Sequence, residues 1–198
     1  MINFWWVRHA PVVMNNDCCY GNNEVECDVS DTKSLKSLIA TVPFNCNVYT
    51  SSLSRTIKTF NAAVNLGYSY KKHIIDERLV EQNLGDYTGM KYNELYELTK
   101  KTGIYDVNWL MKASHKPPNG ESFEQLSCRV KSFIDEILNI TTNNNVVIFS
   151  HGGPIRAAIS YALNYNSNDI IPLEIDNTKT SLISYNKHKK GKLIFLNK

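Results

Sequence analysis

Disulfide chemistry has little to work with in this chain. Its five cysteines, Cys18, Cys19, Cys27, Cys46 and Cys128, are odd in number and contain no Cys-x-x-Cys pair. That pattern argues against a disulfide framework and for a reducing compartment. No run approaches the roughly 20 apolar residues of a membrane span. The first residues also lack the basic region that precedes the apolar segment of a secretory signal. A cytoplasmic address without a membrane partner is therefore expected. The histidines are scattered, without the paired helical spacing of a zinc site, so no metal is expected. Charge of one sign is scarce too. The net charge is +3, and the cluster Lys187-His188-Lys189-Lys190-Gly191-Lys192 supplies that excess by itself. Between the apolar runs Leu182-Ile183-Ser184-Tyr185 and Leu193-Ile194-Phe195-Leu196 it reads as a solvated hairpin turn. With no broader basic face, no nucleic-acid partner is expected.

What remains is an ordinary globular composition, 42% hydrophobic and 21% charged over 198 residues. This suffices to bury a real core, and a single domain spanning residues 1–198 is expected. No linker, repeat or low-complexity tract divides it. Helical patterns run from Ser30 to Ala40, Arg55 to Leu66, Lys91 to Lys101 and Tyr105 to Lys112. Pro117-Pro118-Asn119-Gly120 is a firm break. Glu121 to Ile140 is a long amphipathic helix, with Phe123, Leu126, Val130, Phe133, Ile134, Ile137 and Leu138 on its apolar face. Strand-like runs alternate with these helices, including a short one at Ile74-Ile75. The alternation predicts an α/β fold, a three-layer α/β/α sandwich with a mainly parallel central sheet. Trp5 and Trp6 are expected to pack in the core.

Arginine and histidine recur at the strand exits. The run Ile2-Asn3-Phe4-Trp5-Trp6-Val7 ends in Arg8-His9-Ala10-Pro11. Val146-Val147-Ile148-Phe149 ends in Ser150-His151-Gly152-Gly153-Pro154 and continues as the helical pattern Ile155-Arg156-Ala157-Ala158-Ile159. Asn47-Val48-Tyr49-Thr50-Ser51-Ser52 leads into a helix with Arg55 in its first turn. Strand tips are where α/β sheets bind ligands, and a helix N-terminus attracts anions. Pro154 fits the first helical position and Ser52 an N-cap. Arginine grips phosphate by paired charge-assisted hydrogen bonds, and a neutral imidazole can attack phosphorus. Arg8, His9, Arg55 and His151 together describe a phosphate pocket. Adjacent strand residues point to opposite faces, so Arg8 and His9 reach one ligand only if the backbone bends, which Ala10-Pro11 favours.

Five short motifs in order resemble the histidine phosphatase superfamily, its phosphoglycerate mutase-like group, over most of the chain. They are Arg8-His9, Ser51-Ser52-Leu53-Ser54-Arg55, the segment from Leu79-Val80-Glu81 to Tyr87-Thr88-Gly89, Gly120-Glu121-Ser122, and Ser150-His151-Gly152-Gly153. The family's glycine after Arg-His is Ala10 here, and its Ser-Pro is Ser51-Ser52. Arg-His-Ala-Pro and Cys19-Tyr20-Gly21 are similar to alpha-ribazole phosphatase-like members.

The resemblance implies a phosphoglycerate mutase-like fold and a metal-independent phosphomonoesterase without cofactor. His9 is its nucleophile, with its far ring nitrogen held by a backbone carbonyl. Arg8, Arg55 and a protonated His151 surround the phosphate, with hydrogen bonds from Asn15 and the backbone of Gly152. Glu81 is the general acid and then the base. Its carboxyl needs a raised pKa, which a phosphate dianion provides by repulsion. Residues 79–118 form a cap whose aromatics Tyr87, Tyr92, Tyr96, Tyr105 and Trp109 reach the organic part of the substrate or simply pack. The partner is a small phosphate ester, with alpha-ribazole phosphate as one candidate; a homodimer is left open. A phosphoglycerate mutase using the same pocket, or a non-enzymatic scaffold for phosphorylated ligands, are the alternatives. His73, His115 and His188 match no motif and are expected to be structural or exposed.

Overall fold

Strand β1 (Ile2–Arg8) sends Phe4 and Trp6 to one face and Trp5 and Val7 to the other. This is the two-residue period of a strand covered on both sides. β4 (Asn145–Ser150) repeats it, with Val146 and Ile148 opposed to Val147 and Phe149. The computed structural model describes residues 1–13, 17–107, 110–141 and 143–198. The remaining strands are β2 (Asn47–Thr50), β3 (Lys72–Ile75), β5 (Thr180–Tyr185) and β6 (Gly191–Phe195). They form one sheet in the order β3-β2-β4-β1-β5-β6. The first four of that order are parallel, and the β5–β6 hairpin closes one edge antiparallel.

Helices cover both faces. α1 (Thr32–Thr41) and α2 (Ser54–Asn65) bury Leu38, Ile39, Phe60 and Ala63 against Val7, Val48, Val147 and Phe149. α4 (Phe123–Ile140) and α5 (Gly152–Leu163) cover Phe4, Trp6, Tyr49 and Ile148 on the other side. The result is the expected three-layer sandwich. Phe123, Leu126, Val130, Phe133, Ile134 and Ile137 of α4 are buried as expected, each contributing about 1.5–3 kcal/mol. Ser122 caps this helix in a capping box with Gln125, so the motif Gly120-Glu121-Ser122 ends where the helix begins. α3 (Tyr92–Lys101) contributes Leu95 to a separate small cluster with Cys19, Tyr87 and Met111. α6 (Ser167–Ile170) is a single turn. Trp6 is fully buried, while Trp5 is half-buried against Phe195. No helix among the described residues is long and apolar enough to cross a membrane.

Three local expectations are corrected. Residues 105–107 and 110–112 are not helical. Gly103, at φ +72°, turns the chain out of α3, and the following stretch buries mainly Met111. A helix that short needs a buried face to persist. Ser52 does not cap α2. The cap position is Leu53; Ser52 Oγ donates to Glu77, and the Glu24 carboxylate accepts the Ser54 N–H at 3.1 Å. Pro154 is the third helical residue rather than the first, because α5 starts at Gly152 with His151 as its cap.

Candidate active site

The register pairs Arg8 with Ser150 and Thr50 with Phe149, so the C-terminal ends of β1, β4 and β2 lie side by side. The residues leaving these ends are His9, His151 and Ser51. Beyond Arg8 each backbone group has a fixed partner. The His9 N–H donates to the Ser150 carbonyl at 3.1 Å, the His9 carbonyl accepts from Asn177 Nδ2 at 2.8 Å, and the Ala10 N–H donates to Thr59 Oγ1 at 2.8 Å.

His9 is 1% exposed, and its Nδ1 lies 2.7 Å from the Ala10 carbonyl. A carbonyl can only accept, so Nδ1 carries the proton and Nε2 keeps a lone pair. Burial, reinforced by the Arg55 and Arg8 charges, lowers its pKa to about 3. The ring stays neutral throughout the physiological range. Its centroid is 5.1 Å from that of His151.

Arg55 Nε donates to His151 Nδ1 at 3.2 Å, which makes Nε2 the protonated nitrogen, donating to Ser51 Oγ at 2.8 Å. His151 is therefore neutral in this arrangement. Complete burial, with His9 and the arginines around it, drives its pKa well below the usual histidine value. The expected imidazolium is not what the free site favours: positive neighbours and a dry environment both act against it.

Arg55 is fully buried. Its Nη1 and Nη2 donate to the carbonyls of Asn23 at 2.7 Å and Gly21 at 2.9 Å, and the Tyr20 ring covers it at 5.3 Å. Arg8 Nη1 donates to the Ile175 carbonyl, and Arg8 Nε is buried without a partner among the described residues.

A cavity of about 180 Å³ opens above these groups, with Arg8, Tyr20, Glu81, Tyr92, Gly152 and Arg156 among the residues that line it. Of the four predicted phosphate-pocket residues Arg8 alone lines it; His9, Arg55 and His151 are essentially inaccessible. The Glu81 carboxylate reaches the start of α5, where both oxygens lie 3.2 Å from the Gly153 nitrogen and Oε1 also accepts the Gln82 N–H at 2.9 Å. Gly152 occupies the first helical turn, where backbone N–H groups have no intrahelical acceptor. Gln82, Leu84, Leu95, Met111 and Lys112, all within residues 79–118, also line the cavity. Asn15 and Trp109 lie outside the described residues.

Sequence reasoning passed over Arg156. It stands four residues after Gly152, on the same side of α5, and its Nη1 is 3.0 Å from where a Gly152 Cβ would sit. The Leu173 carbonyl holds its Nε at 2.7 Å. The i, i+4 spacing from the helix start was the available signal. His73 bonds Thr50 at the sheet edge and His115 stacks on Tyr87, consistent with packing roles.

The family model described as "Histidine phosphatase superfamily (branch 1)" matches residues 4–197. Among curated proteins, the adenosylcobalamin/alpha-ribazole phosphatase of Salmonella typhimurium is 26% identical over 167 residues, 82% of this chain and 80% of the relative. The 2,3-bisphosphoglycerate-dependent phosphoglycerate mutase of Cytophaga hutchinsonii is 28% identical over 137 residues, 67% of this chain and 63% of the relative. The chain spans less than two thirds of the length of most of the curated relatives it matches. The crystal structure of the alpha-ribazole phosphatase from Shigella flexneri superposes with a TM-score of 0.78 at 22% identity, covering 100% of this chain and 96% of that one, and so shares its fold.

Proposed function

Because the chain belongs to the histidine phosphatase superfamily, we propose that it is a metal-independent phosphomonoesterase working through a phosphohistidine at His9. The observation that supports this most is the His9 tautomer: with Nδ1–H tied to the Ala10 carbonyl, Nε2 is an unprotonated nucleophile. Its lone pair forms the N–P bond as the ester P–O bond breaks. Glu81 gives a proton to the departing alkoxide oxygen. Water then attacks phosphorus while Glu81 takes its proton back, the N–P bond breaks, and phosphate leaves.

Arg8 and Arg55 stabilise the non-bridging oxygens, with a hydrogen bond from the Gly152 N–H. A phosphate dianion beside His151 favours its protonated form, opposing the desolvation that keeps it neutral in the free site. Residues 79–118 act as the cap that receives the leaving group. The substrate is a small phosphorylated metabolite; alpha-ribazole phosphate is the specific candidate, in line with the Salmonella relative.

A panel of phosphate esters that includes alpha-ribazole phosphate, assayed with and without chelator, tests this. Chelator-resistant hydrolysis that disappears in His9→Ala is expected. Full activity in His9→Ala removes the nucleophile. Transfer of the phosphoryl group to an added phosphoglycerate instead of water, primed by a bisphosphate, replaces the hydrolase with a mutase.

A further inference from the structure

Glu81 belongs to no regular element. Residues 81–84 follow the short 3₁₀ turn Glu77–Leu79 without helix or strand, so no ladder of hydrogen bonds fixes the carboxyl's position. A second set of contacts does. Arg129, on α4, donates from Nε and Nη2 to both oxygens of Glu121, at 3.1 and 2.6 Å. The same guanidinium donates to the carbonyl of Arg78 at 2.7 Å and to the carbonyl of Glu81 itself at 3.2 Å. Glu121 is tied to the same loop: its N–H donates to the Asn83 carbonyl at 2.8 Å, and its Oε1 accepts the Asn83 N–H at 3.1 Å. Gln82 Nε2 donates to the Glu121 carbonyl at 2.9 Å. Loop and guanidinium thus form one network anchored on a long, well-packed helix.

The side chains of Arg129 and Glu121 are each 21% exposed, and neither lines the cavity. We propose that Arg129, oriented by Glu121, is a positioning residue that holds the Glu81 backbone so that its carboxyl meets the leaving group. The proposal rests on the reading of Glu81 as the acid and base. Only a planar fork spans a carboxylate on one edge and two carbonyls on the other; an ammonium does not. A displacement of about 1 Å at a reacting group costs on the order of 100-fold in rate. Here the loss falls only on the step that Glu81 serves.

The test compares wild type, Arg129→Gln, Arg129→Lys and Glu121→Gln on an alkyl phosphate and on p-nitrophenyl phosphate, whose leaving group hardly needs a proton. Glu121→Gln keeps the shape of the network and serves if the arginine variants fold poorly. Expected is a fall in kcat/KM, which reports the leaving-group step and not the later hydrolysis of the phosphohistidine, of about 10- to 100-fold on the alkyl ester and a much smaller one on p-nitrophenyl phosphate. Lysine at 129 should not restore the rate. Adding Arg129→Gln to Glu81→Gln should cost little more than Glu81→Gln alone. Equal losses on both esters, or losses that multiply in the double variant, overturn the proposal. Activity that survives in His9→Ala instead defeats the phosphohistidine reading, so the two failures are separable.

Discussion

The Glu81 carboxylate and the Gly153 nitrogen face each other so closely that a Cβ on Gly153 would overlap Glu81 Oε1. Leu126 closes the space behind, 3.1 Å from the same point. Gly153 is therefore required for room, not for a backbone conformation. Gly153→Ala should push the carboxyl out of place. We expect about 10- to 100-fold less activity on alkyl phosphates and a folded protein by circular dichroism. Wild-type turnover of an alkyl ester by this variant would show that Glu81 has slack.

Removing the proton of Glu81 while keeping its shape gives a sharper outcome. Glu81→Gln still accepts the Gly153 N–H but has no proton to give. General acid help is worth about 100- to 10,000-fold. The value of kcat/KM, which reports the phosphorylation step alone, should fall by that order on alkyl phosphates and far less on p-nitrophenyl phosphate. Equal losses on both esters would count against the acid role.

Arg55 joins the floor of the site to the loop above it. Arg55→Ala strips the buried Gly21 carbonyl and the part-buried Asn23 carbonyl of their donors. A cost of about 3 kcal/mol is expected, at the upper end for hydrogen bonds to a charged group. Arg8→Ala should cost less, since Arg8 is half-buried and, among the described residues, donates only to the Ile175 carbonyl. Urea unfolding of the two variants measures the difference, and the reverse order of stability would contradict it.

The two neutral histidines give the protein an acid weakness. In the folded chain the His9 pKa is lowered to about 3 and that of His151 is also depressed, whereas unfolded histidine titrates near 6.5. Between these values the unfolded chain binds more protons. This stability is complete above about pH 6.5 and is lost as pH falls toward 3, by up to about 1.4 kcal/mol per pH unit for each ring. Urea midpoints at pH 7 and pH 4.5 should differ, and His9→Asn, which lacks that proton acceptor, should show a smaller drop. An identical drop would place the acid sensitivity elsewhere.

Much of this architecture was legible because it depends on local pattern. The two-residue alternation in β1 and β4 and the apolar stripe of α4 name their own burial faces, and the Arg and His residues at strand exits mark one end of the sheet. The stretch from Tyr105 to Lys112 misled because its pattern is compatible with a helix that too little tertiary packing supports. The neutral state of His151 was hidden for another reason: the complete burial that sets it, and the charges from β1 and α2 that reinforce it, arise only in the fold. Arg129 and Glu121 were equally hidden. Their spacing along the chain is ordinary, and only the fold shows that they meet the loop carrying Glu81.

β1 lies inside the sheet, hydrogen-bonded to β4 on one side and β5 on the other, and the Thr178 N–H donates to the Arg8 carbonyl just past its end. Fraying that begins at the outer strands β3 or β6 must dismantle a neighbour before it loosens the segment leading to His9. The amide hydrogens of residues 4–8 should then exchange with solvent only through the highest-energy openings of the molecule. The chain would keep its phosphorus-reactive ring in register while its periphery breathes.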